Sequence, residues 1–288
     1  MSPALTLSKV LPGTLRACGL ARTLMPRRVI PPLWREAGAG SLLFNMVRDE
    51  LRGEQVHPVA GEPVLLIPGL FAGDASLAPL ASTLREQGWT VCPSGIRVNV
   101  GCSDTVVDQL VTRLEEIAAD HDGPVALVGH SRGGLLARAV AQQRPDLVSG
   151  VVTLGSPQRD QLAVHPLLWA NVITMLALGT IGVPGVMGFT CMNAYDCCHD
   201  FQSTVRAPLP DGVSAISLYS RRDGVVDWRA CMDPAGTNVE VEATHCGMPS
   251  DPATMRAIVS ALASFHSSPD ASFASMPELE PVELAVAA

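Results

Sequence analysis

Lysine is almost missing from this chain of 288 residues: Lys9 is the only one, and its other cationic side chains are arginines. The scarcity has a direct consequence at Gly182 to Gly188, a glycine-rich stretch that superficially resembles a phosphate-cradling loop. No strand precedes it and no lysine follows, so that reading fails. Aromatic residues make up 4% of the chain. No basic patch interleaved with aromatics occurs in its acidic body, so nucleic acid is not an expected partner.

Acid is missing at one end. Before Glu36 there is no Asp or Glu, only Lys9 and five arginines, a local +6 that leaves −14 for the remainder of a chain whose net charge is −8. The apolar pieces of this basic head are short and broken by Pro12, Gly13, Arg16 and Arg22. They make a poor secretory signal, and Leu-Arg-Ala-Cys18 is no convincing lipoprotein site. A cytoplasmic protein is therefore expected, with peripheral membrane contact through the basic head or an apolar insertion left open.

Paired C-x-x-C motifs and a regular disulfide framework are also missing, although eight cysteines occur at 18, 92, 102, 191, 197, 198, 231 and 246. Reduced thiols are expected, with a bridge among Cys191, Cys197, Cys198 and Cys231 as the alternative. The run Cys191 to Asp200 collects metal-ligand types, but adjacent Cys197 and Cys198 do not form a zinc knuckle. No metal and no cofactor are expected. There is no internal repeat.

What is abundant is apolar material, 47% of residues with a positive mean hydropathy, enough for one large core and something unusually apolar on it. Val64–Ile67, Trp89–Cys92, Val125–Gly129, Val148–Leu154, Val213–Ser220 and Asn238–Glu242 read as strands. Helices are expected over Ser76 to Gln87, from a Ser103-Asp104 cap through Asp120, after residue 131, and over Pro252 to Phe265. The alternation implies an α/β fold, a mostly parallel sheet flanked by helices, with ligands at the strands' carboxyl ends.

Between the strands ending at 154 and starting at 213 the rhythm breaks. Gln161 to Tyr195 carries no formal charge, and Leu167 to Gly188 is long enough to span a bilayer. Gly179, Gly182, Pro184, Gly185 and Gly188 fragment it, and no basic flank lies close by, so a mobile apolar lid is the preferred reading. Three segments result: an N-terminal helical extension over 1–60, a catalytic domain over 61–266 with the lid at about 158–208, and a disordered tail over 267–288.

The stretch VALVGHSRGGLLARA, Val125 to Ala139, carries the chemistry. A buried strand meets an amphipathic helix at Gly129-His130-Ser131-Arg132-Gly133, and glycines at both ends allow a strained turn that holds Ser131 clear of the fold. The helix start aims unpaired N–H groups at this point, which suits an oxyanion. This G-x-S-x-G between strand and helix resembles the nucleophile elbow of α/β-hydrolases. Pro63-Val-Leu-Leu-Ile-Pro-Gly-Leu-Phe71 is similar to the first strand and oxyanion loop of lipases, and Val151-Val-Thr-Leu-Gly-Ser-Pro157 to their following strand.

That resemblance implies a Ser, acid, His order along the chain. Ser131 would be the nucleophile. Arg221-Arg-Asp-Gly-Val-Val-Asp227 looks like the acid loop, with Asp223 preferred over Asp227 for its nearness to the strand end. Glu242-Ala-Thr-His245 looks like the histidine loop. His130 reads as packing beneath the elbow. The oxyanion hole would use the backbone N–H of Arg132 and of Leu70, with Phe71 as substitute because Pro68 stands where lipases carry histidine. The implied activity is hydrolysis of carboxylic esters with an apolar acyl chain, lipase- or esterase-like, on a small-molecule or lipid substrate. Amidase, lactonase or acyltransferase chemistry, or a non-catalytic apolar-ligand receptor, remain alternatives on the same scaffold.

Overall fold

The computed structural model describes residues 30–38, 61–192 and 197–265. Most of the expected N-terminal extension and all of the expected tail lie outside them. The strands are β1 Pro63–Ile67, β2 Thr90–Pro93, β3 Val125–His130, β4 Val148–Leu154, β5 Ser214–Tyr219 and β6 Thr237–Glu240. They form one sheet in the order β2-β1-β3-β4-β5-β6, and every pairing is parallel.

Alternation along the strands divides the core in two. Leu65, Ile67, Val125, Leu127 and Val151 face one side, where α2 (Ser103–His121) and α3 (Arg132–Gln143) cover them. Val64, Leu66, Ala126, Val128, Val152, Ile216 and Leu218 face the other, under α1 (Ala78–Glu86) and α7 (Pro252–Ser264). Successive strand side chains point to opposite faces, and both faces are covered, so β1 and β3 read as unbroken apolar runs. The chain runs outward from β1 to β2 and then returns past it to β3. Such a reversal opens a crevice beyond the carboxyl ends of β1 and β3.

The helix expected from Ser76 starts as a 3-10 turn at Asp74–Leu77 before α1. Ser103-Asp104 does not cap α2: Cys102 occupies the cap position without a side-chain bond. The Asp104 carboxylate instead accepts the N–H of Phe201 at 2.9 Å, which holds the short helix α5 (His199–Thr204) against α2. The apolar run after β4 becomes α4, Pro166–Thr180, fifteen residues long, about 22 Å at 1.5 Å per residue. Among the described residues no helix is long and apolar enough to cross a membrane. After α4 the chain turns back, and the Met187 N–H donates to Val100 O at 2.8 Å.

Leu127, fully buried at the centre of β3, tests this core. Leu127→Ala should cost about 2–5 kcal/mol through lost burial and the remaining cavity. The expected reading is a lower urea midpoint at unchanged slope.

Candidate active site

The turn between β3 and α3 is as tight as its glycines imply. A Cβ on Gly129 would lie 2.4 Å from the Gly133 backbone, and one on Gly133 would lie 2.1 Å from Ile67 O. Ser131 sits between them at φ 52°, ψ −119°, a conformation that costs a non-glycine residue about 1–3 kcal/mol. Its N–H donates to Leu154 O at 2.8 Å, tying the turn to the end of β4.

Beyond β5, the Asp223 carboxylate is nearly sealed from solvent, 4% exposed. Its Oδ1 accepts the N–H groups of Val225 and Val226 at 2.8 and 2.7 Å. Its Oδ2 accepts His245 Nδ1–H at 2.6 Å. That bond sets the tautomer, leaving the lone pair on Nε2, which meets no partner among the described residues. Asp227 does something else. It caps α6 (Trp228–Cys231), its Oδ1 accepting the Arg229 N–H at 3.1 Å.

Ser131 Oγ and His245 form no hydrogen bond among the described residues, but the two loops meet. His130 Nε2–H donates to His245 O at 3.0 Å, with ring centroids 4.9 Å apart. The residue expected only to pack under the elbow thus braces the histidine loop. Burial, and then the neighbouring imidazole, push His130 down to about 3, so it stays neutral. Gly155, at φ 56°, closes the floor: a Cβ there would lie 3.0 Å from His245 Nδ1 and 3.2 Å from Asp223 Oδ2. Any side chain at 155 would have to displace the pair.

Glu36, which no sequence motif singles out, ties the site together. It lies in a 3-10 turn, Leu33–Gly38. Its carboxylate accepts the N–H of Gly224 at 2.9 Å, of His245 at 2.8 Å and of Cys246 at 3.0 Å. One side chain from before β1 therefore joins the acid loop to the histidine loop. Its only sequence signal was its place as the first acid after a basic head, and nothing in spacing aims it at residues 224 to 246. Burial opposes charge on His245, yet the Asp223 charge and hydrogen bond, with the charge of Glu36, hold its pKa above the ordinary 6.5.

Of the oxyanion candidates, Phe71 already donates its N–H to Asn99 O at 3.2 Å. Leu70 N–H has no acceptor among the described residues, and Arg132 N–H opens α3, where helical geometry supplies none. The second residue missed from sequence is Asn99. Fully buried, it donates Nδ2–H to Pro68 O at 2.8 Å and its own N–H to Ala72 O at 2.8 Å, and its Oδ1 accepts Arg132 Nη1–H at 2.6 Å. It braces the loop after β1 against the first residue of α3. Leu70 in turn packs on Val172, Met175, Leu176 and Met187 of the β4–β5 insertion.

Comparison with known proteins agrees with this architecture. Residues 62–174 match the family model described as alpha/beta hydrolase fold, a span that holds Leu70 and Ser131 but ends before Asp223 and His245. The chain is 43% identical over 106 residues to a triacylglycerol lipase of Pseudarthrobacter phenanthrenivorans, covering 34% of this chain and 33% of that one. It is 30% identical over 117 residues to a lysosomal thioesterase PPT2 homolog of Drosophila melanogaster, covering 36% and 38%. It thus spans little more than a third of the length of these relatives. Among solved structures, the mature form of the Bacillus licheniformis lipase BlEst2 is similar at TM-score 0.55 and 19% identity, over 73% of this chain and 96% of that one.

The electrostatics are open to direct measurement. His245 should titrate above 6.5 by NMR, and Glu36→Gln should move that midpoint to lower pH while leaving the Asp223 contribution in place. Glu36→Ala, which strips three backbone N–H groups of a charged acceptor, should destabilise the fold by about 2–3 kcal/mol in urea unfolding.

Proposed function

Because this chain has the α/β-hydrolase fold, we propose that it is a serine hydrolase of carboxylic esters in which Ser131, His245 and Asp223 act as a triad. The observation that carries the reading is the 2.6 Å bond from His245 Nδ1 to Asp223, which leaves Nε2 available as a base on a loop tied to His130, the neighbour of a serine held at positive φ. In the first step Nε2 takes the hydroxyl proton as Ser131 Oγ attacks the ester carbonyl. The N–H groups of Leu70 and Arg132 receive the negative charge that develops on the carbonyl oxygen. His245 then protonates the departing alcohol, and water, activated by the same imidazole, releases the acid and restores Ser131. This chemistry calls for no cofactor.

The acyl chain is proposed to be apolar. Leu70 lies under the apolar inner face of α4, so an acyl group seated at the oxyanion loop would meet aliphatic side chains. On the outer side Leu167, Ile173 and Ile181 are 61%, 52% and 79% exposed, a surface suited to peripheral contact with lipid. The similarity to a thioesterase supports a second reading, cleavage of acyl thioesters at the same site. The attack and the oxyanion are the same, and only the leaving group differs.

Purified protein should hydrolyse p-nitrophenyl acyl esters and carry a fluorophosphonate adduct on Ser131. Ser131→Ala should lower kcat by on the order of 10⁶ and Asp223→Asn by on the order of 10⁴, whereas Asp227→Asn should change it little. Undiminished turnover by Ser131→Ala would sink the assignment, and folded protein that takes no adduct would favour a non-catalytic receptor. The neutral imidazole is the active form and its pKa is raised, so kcat/KM should fall with acid through a midpoint above 6.5. Acyl-CoA turnover exceeding ester turnover would favour the second reading.

A further inference from the structure

Four cysteine sulfurs from separate parts of the chain, none of them part of the proposed triad, converge on one point. Cys102 comes from the cap of α2, Cys191 from the turn Phe189–Met192, and Cys197 and Cys198 from just before α5. All four Sγ atoms lie within 4.8 Å of one another, the closest pair, Cys102 and Cys198, at 3.3 Å. Judged as a run, residues 191 to 200 lacked a second pair of ligands. Cys102 contributes the fourth sulfur across the fold, while His199 is exposed and turned to Asp200 at 3.2 Å.

We propose that Cys102, Cys191, Cys197 and Cys198 form a tetrahedral tetrathiolate site for a zinc ion. Zinc–sulfur bonds of about 2.3 Å place sulfurs about 3.8 Å apart along the tetrahedron's edges, within the spread seen here. Two disulfides would need only pairwise approach, at about 2.05 Å. Convergence of four sulfurs on one point is what a shared ion requires.

Part of the cluster lies at the start of a nineteen-residue helix that Cys102 begins as its cap residue, where the helix dipole favours negative charge. The Arg132 guanidinium, bonded to Gly101 O at 2.7 Å and to Ser103 Oγ at 3.1 Å, is close enough for its charge to act on Cys198, Cys102 and Cys191. Binding replaces four thiol protons by one dication, leaving a −2 centre that Arg132 and the helix start offset. The ion would cross-link the β4–β5 insertion to the loop that carries Asn99 and leads into α2. Its occupancy does not depend on the ester-hydrolase reading.

The test uses the full chain purified under reducing conditions from zinc-supplemented medium. The expected results are one equivalent of zinc by elemental analysis, and thiolate-to-cobalt charge-transfer bands with the visible spectrum of a tetrahedral site when Co²⁺ is added to metal-stripped protein. Cys102→Ser and Cys198→Ser should lower bound zinc at least tenfold, and Cys246→Ser, outside the cluster, should leave it unchanged. If the variants do not fold, the cobalt spectrum of the unmutated protein decides. Protein that holds no zinc and gives no tetrahedral cobalt spectrum overturns the proposal, whether its thiols are free or mass analysis finds two disulfides among these four residues.

Discussion

A carboxylate and an imidazole, both almost sealed from water, meet in a 2.6 Å bond, and much of the surrounding structure serves to keep them there. A buried carboxylate costs several kcal/mol unless its oxygens are satisfied, and two backbone N–H groups satisfy the other oxygen of Asp223. The histidine needs its own restraint, because a ring free to turn would put the wrong nitrogen forward. His130 holds its carbonyl and Glu36 its N–H. Gly155 leaves room where a methyl group would crowd both partners.

The same logic applies to the opposite wall. Backbone donors can stabilise an oxyanion only if they have no other acceptor and do not move. Asn99 provides the rigidity, since its amide, its N–H and its carbonyl all bond within the loop after β1 or to Arg132. The Arg132 side chain continues that network to Gly101 and Ser103, next to the four sulfurs. The insertion over Leu70 and the base of the loop after β1 are therefore parts of one connected region, polar beneath and apolar above.

Much of this was legible in the chain. Apolar runs flanked by turn residues located the central strands β1, β3 and β4 to within one residue, because strands buried on both faces are dominated by apolar side chains, while β2, β5 and β6, which are more exposed or carry polar residues, were located to within two. The crossing at Gly129 and Gly133 was equally readable, since only glycine permits such close backbone contact. Capping was misread at Ser103-Asp104: the carboxylate found a partner in Phe201, and local pattern carries no record of a competitor nearly a hundred residues away.

The sequence by itself determined the parallel α/β order, the strained serine turn and a short choice of acids and histidines, all properties of neighbouring residues and their periodicity. Only the tertiary structure decided between Asp223 and Asp227 as the partner of His245, brought in Glu36 and Asn99, and joined Cys102 to the cysteines near 198. The physical reason is common to all of these. Each depends on which donors and acceptors face one another once the sheet has assembled, and a hydrogen bond or ligand set formed across long chain separations leaves no periodic trace in the residues that make it.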